Sequence, residues 1–148
     1  MILIRKAVHN DLEKLVQLIG DLFSMEPDFI VAPEKQLKGL QMILDTPGAT
    51  ILVAVDNDKV IGMVSCQMTI STAEGGYSGL VEDMVIENGY RGKGIGTLLI
   101  QKIVEWCLSN GASRVQLLAD KNNSDALSFY KKNKWTLTNM ICLRAPRN

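Results

Sequence analysis

A glycine-rich turn holds the residues best suited to chemistry in this chain of 148 residues. It reads Arg91-Gly92-Lys93-Gly94-Ile95-Gly96, and Thr97 and an apolar stretch with helical spacing follow it. The first N–H groups of a helix lack intrahelical partners and carry partial positive charge. Glycines let such groups close around an anion, and Arg91 and Lys93 add positive charge. The turn predicts a phosphate site, although its glycines alone are equally compatible with a merely tight strand-to-helix connection.

Two common nucleotide-binding patterns do not fit this turn. A Walker loop needs Gly-Lys followed by Ser or Thr, whereas Ile95 and Gly96 follow Gly94. The G-x-G-x-x-G pattern also fails, because its last position is Thr97 when counted from Gly92 and Leu99 when counted from Gly94. The phosphate carrier therefore belongs to another class.

The chain has few residues that could form a metal site or a catalytic triad. His9 is the only histidine, and the three cysteines stand singly among apolar neighbours at positions 66, 107 and 142. This spacing argues against a zinc site, a disulfide framework and a Ser-His-Asp triad. We expect no metal, and we expect the cysteines to behave as small buried hydrophobic residues.

The charges are balanced in total but divided along the chain. Residues 1–88 hold 6 Lys and Arg against 13 Asp and Glu, whereas residues 89–148 hold 10 against 3. This division predicts that one part meets an anion and the other a cation. No basic, aromatic-rich surface typical of nucleic-acid binding is evident, and no signal peptide or membrane-spanning stretch is found. We expect a soluble, cytoplasmic protein without nucleic-acid or membrane partners.

The hydrophobic periodicity predicts an α/β protein with a mixed sheet, helices on both faces, and one domain over residues 1–148. The element order is β-α-α-β-β-β-α-β-α-β. Asn10 is predicted to cap the first helix and Ser124 the last. The predicted strands are 2–8, 50–55, 59–70, 79–86, 114–119 and 135–143, and the predicted helices are 11–23, 33–44, 94–110 and 124–132.

Taken together, these features resemble the GNAT family of N-acetyltransferases. Arg91 to Gly96 is similar to the R/Q-x-x-G-x-G/A motif of that family, and the strand Val-Glu-Asp-Met-Val-Ile at 81–86 and the pair Phe129-Tyr130 also match. The resemblance covers nearly the whole chain. It implies acetyl-CoA as acyl donor and direct transfer to a primary amine of a small molecule or peptide within a ternary complex.

The resemblance also implies which residues hold coenzyme A. The strand before the turn is expected to separate from its neighbour, so that the pantetheine arm contacts the backbone of Met84, Val85 and Ile86. Asn123 is expected to touch the same arm. The diphosphate is expected on the turn that Arg91 opens, namely on Gly92, Lys93, Gly94, Ile95, Gly96 and Thr97.

Two residues receive catalytic roles from the resemblance. Tyr130 matches the usual general acid, because a phenol with a pKa of about 10 stays protonated at neutral pH and can protonate a departing thiolate. An aromatic side chain that only packs is the alternative. Glu82 is the first candidate for the base, directly or through water, since an amine with a pKa of about 10.4 must lose a proton. Strand alternation places Asp83 on the opposite face.

The acceptor site of the family is built from the early helices and their connection. In this chain the residues expected there are Phe23, Glu26, Asp28 and Phe29, with Asp83 nearby. Their negative charge suits a cationic amine such as a polyamine, an aminoglycoside, an amino-acid derivative or a peptide amine, although a solvated loop explains the same residues.

Three further expectations follow from the resemblance. A non-catalytic acyl-CoA-binding sensor is the alternative to an enzyme. Relatives often dimerise, and the strand predicted at 135–143 offers an edge for a homodimer. Lys134 occupies a position where the family commonly has glycine, and we expect Asn133 to adopt the left-handed conformation in its place.

Overall fold

The computed structural model describes residues 1–147 and contains a five-stranded sheet and four α-helices. Two compact units, Met1–Leu117 and Leu118–Asn148, divide the chain. A short 3-10 turn at His9–Asp11 precedes the first α-helix. The elements are β1 Ile2–Lys6, α1 Leu12–Ser24, α2 Pro33–Leu44, β2 Ala49–Asp56, β3 Lys59–Ser71, β4 Gly76–Ile86, α3 Ile95–Ser109, β5 Ala112–Leu117 and α4 Ser124–Lys132.

The first unit is a mixed sheet covered on both faces. Its strands lie in the order β1-β2-β3-β4-β5, antiparallel from β1 to β4 and parallel between β4 and β5. In β2, Ile51, Val53 and Val55 join the core beneath α1 and α2, so the alternating Leu52 and Ala54 face the side where α3 packs. The predicted α/β class and mixed sheet are confirmed. No helix within residues 1–147 has both the length and the apolar character that a bilayer crossing requires.

The start of α1 differs from its prediction. The Asp11 carboxylate accepts the Val8 N–H at 2.8 Å and binds the Arg5 guanidinium through two hydrogen bonds of 2.8 and 3.0 Å. Hydrogen bonding from Arg5 lowers the pKa of Asp11. The predicted cap at Asn10 was wrong, because Asp11 closes the 3-10 turn and thereby fixes where the helix begins.

The second unit contains α4, whose caps also correct two predictions. Asn123, not Ser124, caps the helix by accepting the Ala126 N–H at 3.0 Å. At the other end Lys134, not Asn133, is left-handed, with φ 69°. The Trp135 N–H donates to the Tyr130 carbonyl at 2.9 Å, and the Lys134 N–H donates to the Lys131 carbonyl, also at 2.9 Å. These two bonds form a Schellman motif, which requires a positive φ at position 134.

The strand predicted at 135–143 is not formed. The Thr138 hydroxyl accepts the Met140 N–H at 3.2 Å and bends the chain at Asn139, and such local bonds compete with strand pairing. The described segment 136–147 has no regular secondary structure. Leu137, Met140, Ile141 and Leu143 are each at least 80% exposed.

Candidate active site

A bulge interrupts β4 at the two adjacent acidic residues. Ser65 of β3 pairs with Glu82, and Met63 pairs with Val85, so Asp83 and Met84 together oppose one residue of β3. Asp83 is the extra residue of the bulge and adopts a left-handed conformation, with φ 53°. The expectation that Glu82 and Asp83 face opposite sides relied on unbroken alternation, which does not hold at this bulge. Aspartate tolerates a positive φ better than most residues, which explains its place there.

Beyond the bulge, one edge of β4 has no strand partner. The ladder with β5 joins Tyr77–Val81 to Ala112–Leu117 and ends there, whereas β4 continues to Ile86 beside β3. Within the described residues, the backbone groups of 82–86 that point away from β3 therefore belong to no ladder. Met84 and Ile86 are half-buried, and the Val85 side chain is anchored in the core. This open edge matches the separation that the resemblance implied.

The glycine-rich turn follows directly and leads into α3. Gly89, Gly92 and Gly94 have φ values of 98°, 75° and 80°, and a Cβ added to any of them would meet no atom within 4 Å. The glycines are therefore needed for backbone conformation and not for space. Gly94 is the N-cap of α3 and supplies no side-chain cap, and the first turn of α3 contains no acidic residue. Its N-terminal N–H groups thus remain suited to an anion.

Basic side chains surround this turn, including two that the sequence pattern had not placed there. The Arg91 Nε donates to the Ile86 carbonyl at 3.0 Å, which ties the turn to the end of β4. Lys93 and Lys59 lie over the Tyr90 ring, 5.4 and 5.6 Å from its centroid. Lys59 and Lys14 both form ion pairs with Glu87. Hydrogen bonds from Lys14 and then Lys59 lower the pKa of Glu87.

At the bulge of β4, the charges of two carboxylates reach a third, that of Asp83. Burial of Asp83, followed by the charges of Glu82 and Glu26, raises the pKa of Asp83 from 3.8 to about 6. Glu82 itself is exposed, and Glu26 is half-buried. No group of three or more His, Cys, Asp or Glu side chains in residues 1–147 is arranged to hold a metal ion.

The connection between α1 and α2 borders this carboxylate cluster through Glu26. The rings of Phe23 and Phe29 stack at a centroid distance of 4.9 Å, with 27° between their planes. This contact folds the connection back on itself between the two aromatic residues. Asp28 lies in the same connection and is exposed. Of the predicted acceptor residues, the structure therefore brings together Glu26 and Asp83 on one hand and Phe23 and Phe29 on the other.

The predicted acid, Tyr130, lies on α4 in the second unit and is half-buried. Its ring packs edge-on against Phe129 at 5.2 Å and tilted against Trp135 at 5.9 Å. The Trp135 contact joins the two positions that commonly touch in a Schellman motif, so the helix end fixes the Tyr130 ring. Asn123 uses its side-chain oxygen as the cap of α4, which leaves its amide donors outside that bond.

Comparison with known proteins identifies the family. The model of the "Acetyltransferase (GNAT) family" matches residues 12–135, and the chain belongs to this family. An N-acetyltransferase of Bacillus subtilis, YobR, is 42% identical over 103 residues, which are 68% of this chain and 39% of that protein. The aminoalkylphosphonate N-acetyltransferase of Salmonella typhimurium is 26% identical over 86% of this chain and 80% of its own. The first three curated relatives are matched over only 34% to 53% of their own lengths.

Solved structures share the fold across the whole chain. A possible acetyltransferase from Clostridium difficile superposes with a TM-score of 0.89 at 20% identity, covering 100% of this chain and 99% of that one. A predicted acetyltransferase from Clostridium acetobutylicum, determined with acetyl-CoA, gives a TM-score of 0.79 at 20% identity over 98% and 96% of the two chains. At these identities the likeness establishes the fold.

Proposed function

We propose that this chain is an acetyl-CoA-dependent N-acetyltransferase that acts on a primary amine. The observation that carries the proposal is the open edge of β4 at 82–86, which continues directly into the uncapped, glycine-rich start of α3. An extended amide-containing arm can pair with such an edge, and a diphosphate suits such a helix start. Family membership supports the same reading.

In this proposal the donor is held mainly by backbone groups. Met84, Val85 and Ile86 present the edge for the pantetheine arm, and Asn123 can contribute its amide donors. The N–H groups of Gly92 through Thr97 receive the diphosphate. Arg91 and Lys93 supply positive charge to the phosphates.

The proposed transfer moves two protons at two different sites. Glu82 accepts a proton from the acceptor ammonium, directly or through water, and the freed amine nitrogen attacks the thioester carbonyl carbon. The C–S bond then breaks, and the Tyr130 hydroxyl protonates the departing thiolate. A carboxylate base is useful because deprotonating an amine with a pKa of about 10.4 at pH 7 costs roughly 4–5 kcal/mol.

The carboxylates beside β4 favour a cationic acceptor. Burial, followed by the charges of Glu82 and Glu26, raises the pKa of Asp83, so a positive charge placed beside Asp83 is stabilised. Phe23, Phe29 and Asp28 complete the proposed acceptor surface. A panel of polyamines, aminoglycosides, amino-acid amides and peptides tests this class, and turnover confined to neutral or anionic acceptors would contradict it.

Acetyl-CoA and the amine panel, followed by release of free thiol, test catalysis itself. Tyr130→Phe keeps the ring packing and should lower kcat by about 100-fold or more, whereas Tyr77→Phe, at an exposed site on β4, should match the wild type. Glu82→Gln should lower kcat at neutral pH. Tight acetyl-CoA binding without turnover, and without an effect of Tyr130→Phe, would favour the sensor instead.

We further propose that both units belong to one N-acetyltransferase domain, because the family match at 12–135 crosses the boundary at residue 117. The exposed apolar side chains of 137–143 support a homodimer formed through this segment, since a twofold-symmetric contact would bury these side chains on both protomers. Light scattering should show a dimer, and Ile141→Glu should shift it towards monomer. A wild-type monomer at high concentration would overturn the homodimer.

A further inference from the structure

Two cysteines meet in the core of the first unit, on the side of the sheet that α3 covers. Cys66 lies on β3 and Cys107 lies on α3, and both side chains are completely buried. Their Sγ atoms are 3.2 Å apart. A disulfide bond is about 2.05 Å long, so each sulfur would need to move only about 0.6 Å to form one.

The neighbouring strand leaves room for this pair of sulfurs. A Cβ on Gly79 of β4 would lie 2.7 Å from the Cys107 Sγ and 3.2 Å from the Cys66 Sγ. Gly79 is not among the residues with positive φ, so its backbone conformation does not require glycine. A glycine inside a strand usually marks a close approach, and here the groups that approach are the two thiols.

We propose that Cys66 and Cys107 form an oxidation-sensitive dithiol that closes to an internal disulfide in the presence of a peroxide. In the first step the Cys107 thiolate attacks the peroxide oxygen, which gives a sulfenic acid and releases water. The Cys66 sulfur then attacks the sulfenic sulfur, forming the S–S bond and releasing a second water. Two thiols are oxidised by two electrons while one hydrogen peroxide is reduced to two waters.

The position of Cys107 in the fold assigns the first step to it. Cys107 lies two residues before the end of α3 at Ser109, and helix ends open more readily than strand interiors. The contact between the two thiols and their burial raise the pKa of Cys66, so this thiol stays protonated until Cys107 has reacted. Cys66 is close enough to capture the sulfenic acid before it is oxidised further.

The inference is independent of acetyl transfer and can be tested without any substrate. Cys142 is exposed, so the test uses the Cys142→Ser background, in which every thiol lost belongs to the buried pair. The folded protein is incubated with hydrogen peroxide, denatured, alkylated with a maleimide and digested with trypsin. We expect loss of both alkylation sites, a mass lower by two hydrogens, and a cross-link between the peptides 60–91 and 103–114.

Cys107→Ala in the same background is the matched control and should give no cross-link. Gly79→Ala places a Cβ 2.7 Å from the Cys107 Sγ, which must therefore move, and should slow cross-linking at least tenfold. The oxidised protein should melt higher than the reduced protein by on the order of 10 °C, because the bond closes a long loop. Two thiols that stay alkylatable, or sulfinic acids without the linked peptides, would overturn the proposal.

Discussion

Replacing Asp83 by asparagine should stabilise the protein at neutral pH and leave its stability at pH 4 almost unchanged. The side chain is half-buried in the β4 bulge, and burial, with the charges of Glu82 and Glu26, raises its pKa from 3.8 to about 6. A group with a higher pKa in the folded state adds stability that is complete below the unfolded pKa and is lost as pH rises through the folded pKa. The stability that protonated Asp83 contributes is therefore lost between about pH 4 and pH 6.

The size of the effect follows from the same pKa values. A pKa difference of about two between the folded and unfolded states corresponds to about 3 kcal/mol at about 1.36 kcal/mol per pKa unit. We therefore expect Asp83→Asn to raise the free energy of unfolding by roughly 2–3 kcal/mol at pH 8, because asparagine has no charge to bury. Asparagine also tolerates the φ of 53°, so the bulge should persist.

Urea unfolding at pH 4, 6 and 8, followed by tryptophan fluorescence, measures this effect. Asp58→Asn is the matched control, because Asp58 is exposed and also left-handed, with φ 66°. An equal gain at pH 4 and pH 8, or a variant less stable than the wild type at pH 8, would refute the reasoning. The same substitution should raise KM for a cationic acceptor about tenfold, which is about 1.4 kcal/mol of lost attraction.

Three further predictions concern the turn and the ends of helices. Lys134→Gly should raise the free energy of unfolding by about 1 kcal/mol in thermal unfolding, because glycine, unlike lysine, adopts a φ of 69° without steric cost. A lower Tm for the variant would show that Lys134 is not strained at this position. Gly94→Ala should cost about 1–2 kcal/mol at φ 80° and raise KM for acetyl-CoA more than it changes kcat; an unchanged KM would argue against this phosphate site. Glu87→Gln should destabilise the protein at pH 7, and the loss should shrink as pH falls below about 4.5, because the pKa of Glu87 is lowered in the folded state; urea titrations in which the loss stays constant would contradict the role of the lysines.

Periodic patterns predicted most of the fold because burial dictates them. The bounds of α2 and α4 were predicted to the residue, and the strands β2, β3 and β4 were located to within three residues at each end. Their apolar runs, glycines and prolines are local signals that tertiary contacts reinforce. The helix caps were less predictable, since Asn10 and Asp11 are both suitable N-cap residues, and the contact of Asp11 with Arg5 is made only in the folded chain.

The candidate site was predictable where it depends on backbone conformation and less so where it depends on register. The glycines at 92 and 94 indicated the turn directly. The bulge at Asp83 was not predicted, although two adjacent acidic residues inside a strand are a weak sign of one. The prediction of a strand at 135–143 was wrong, because a strand-like sequence does not by itself provide a neighbouring strand to pair with. Lys14 and Lys59 were missed because nothing in their local sequence links them to Glu87.

Backbone amide chemical shifts on titration with acetyl-CoA test the central claim most directly. We expect saturable changes that are largest at Gly92, Gly94, Ile95, Gly96 and Thr97, with a second group at Met84 and Ile86. Gly94→Ala should weaken the titration without altering the shifts of β1 and β2. No binding, or changes concentrated in the apolar groove between α1 and α2 at Val16, Pro33 and Leu37, would contradict it.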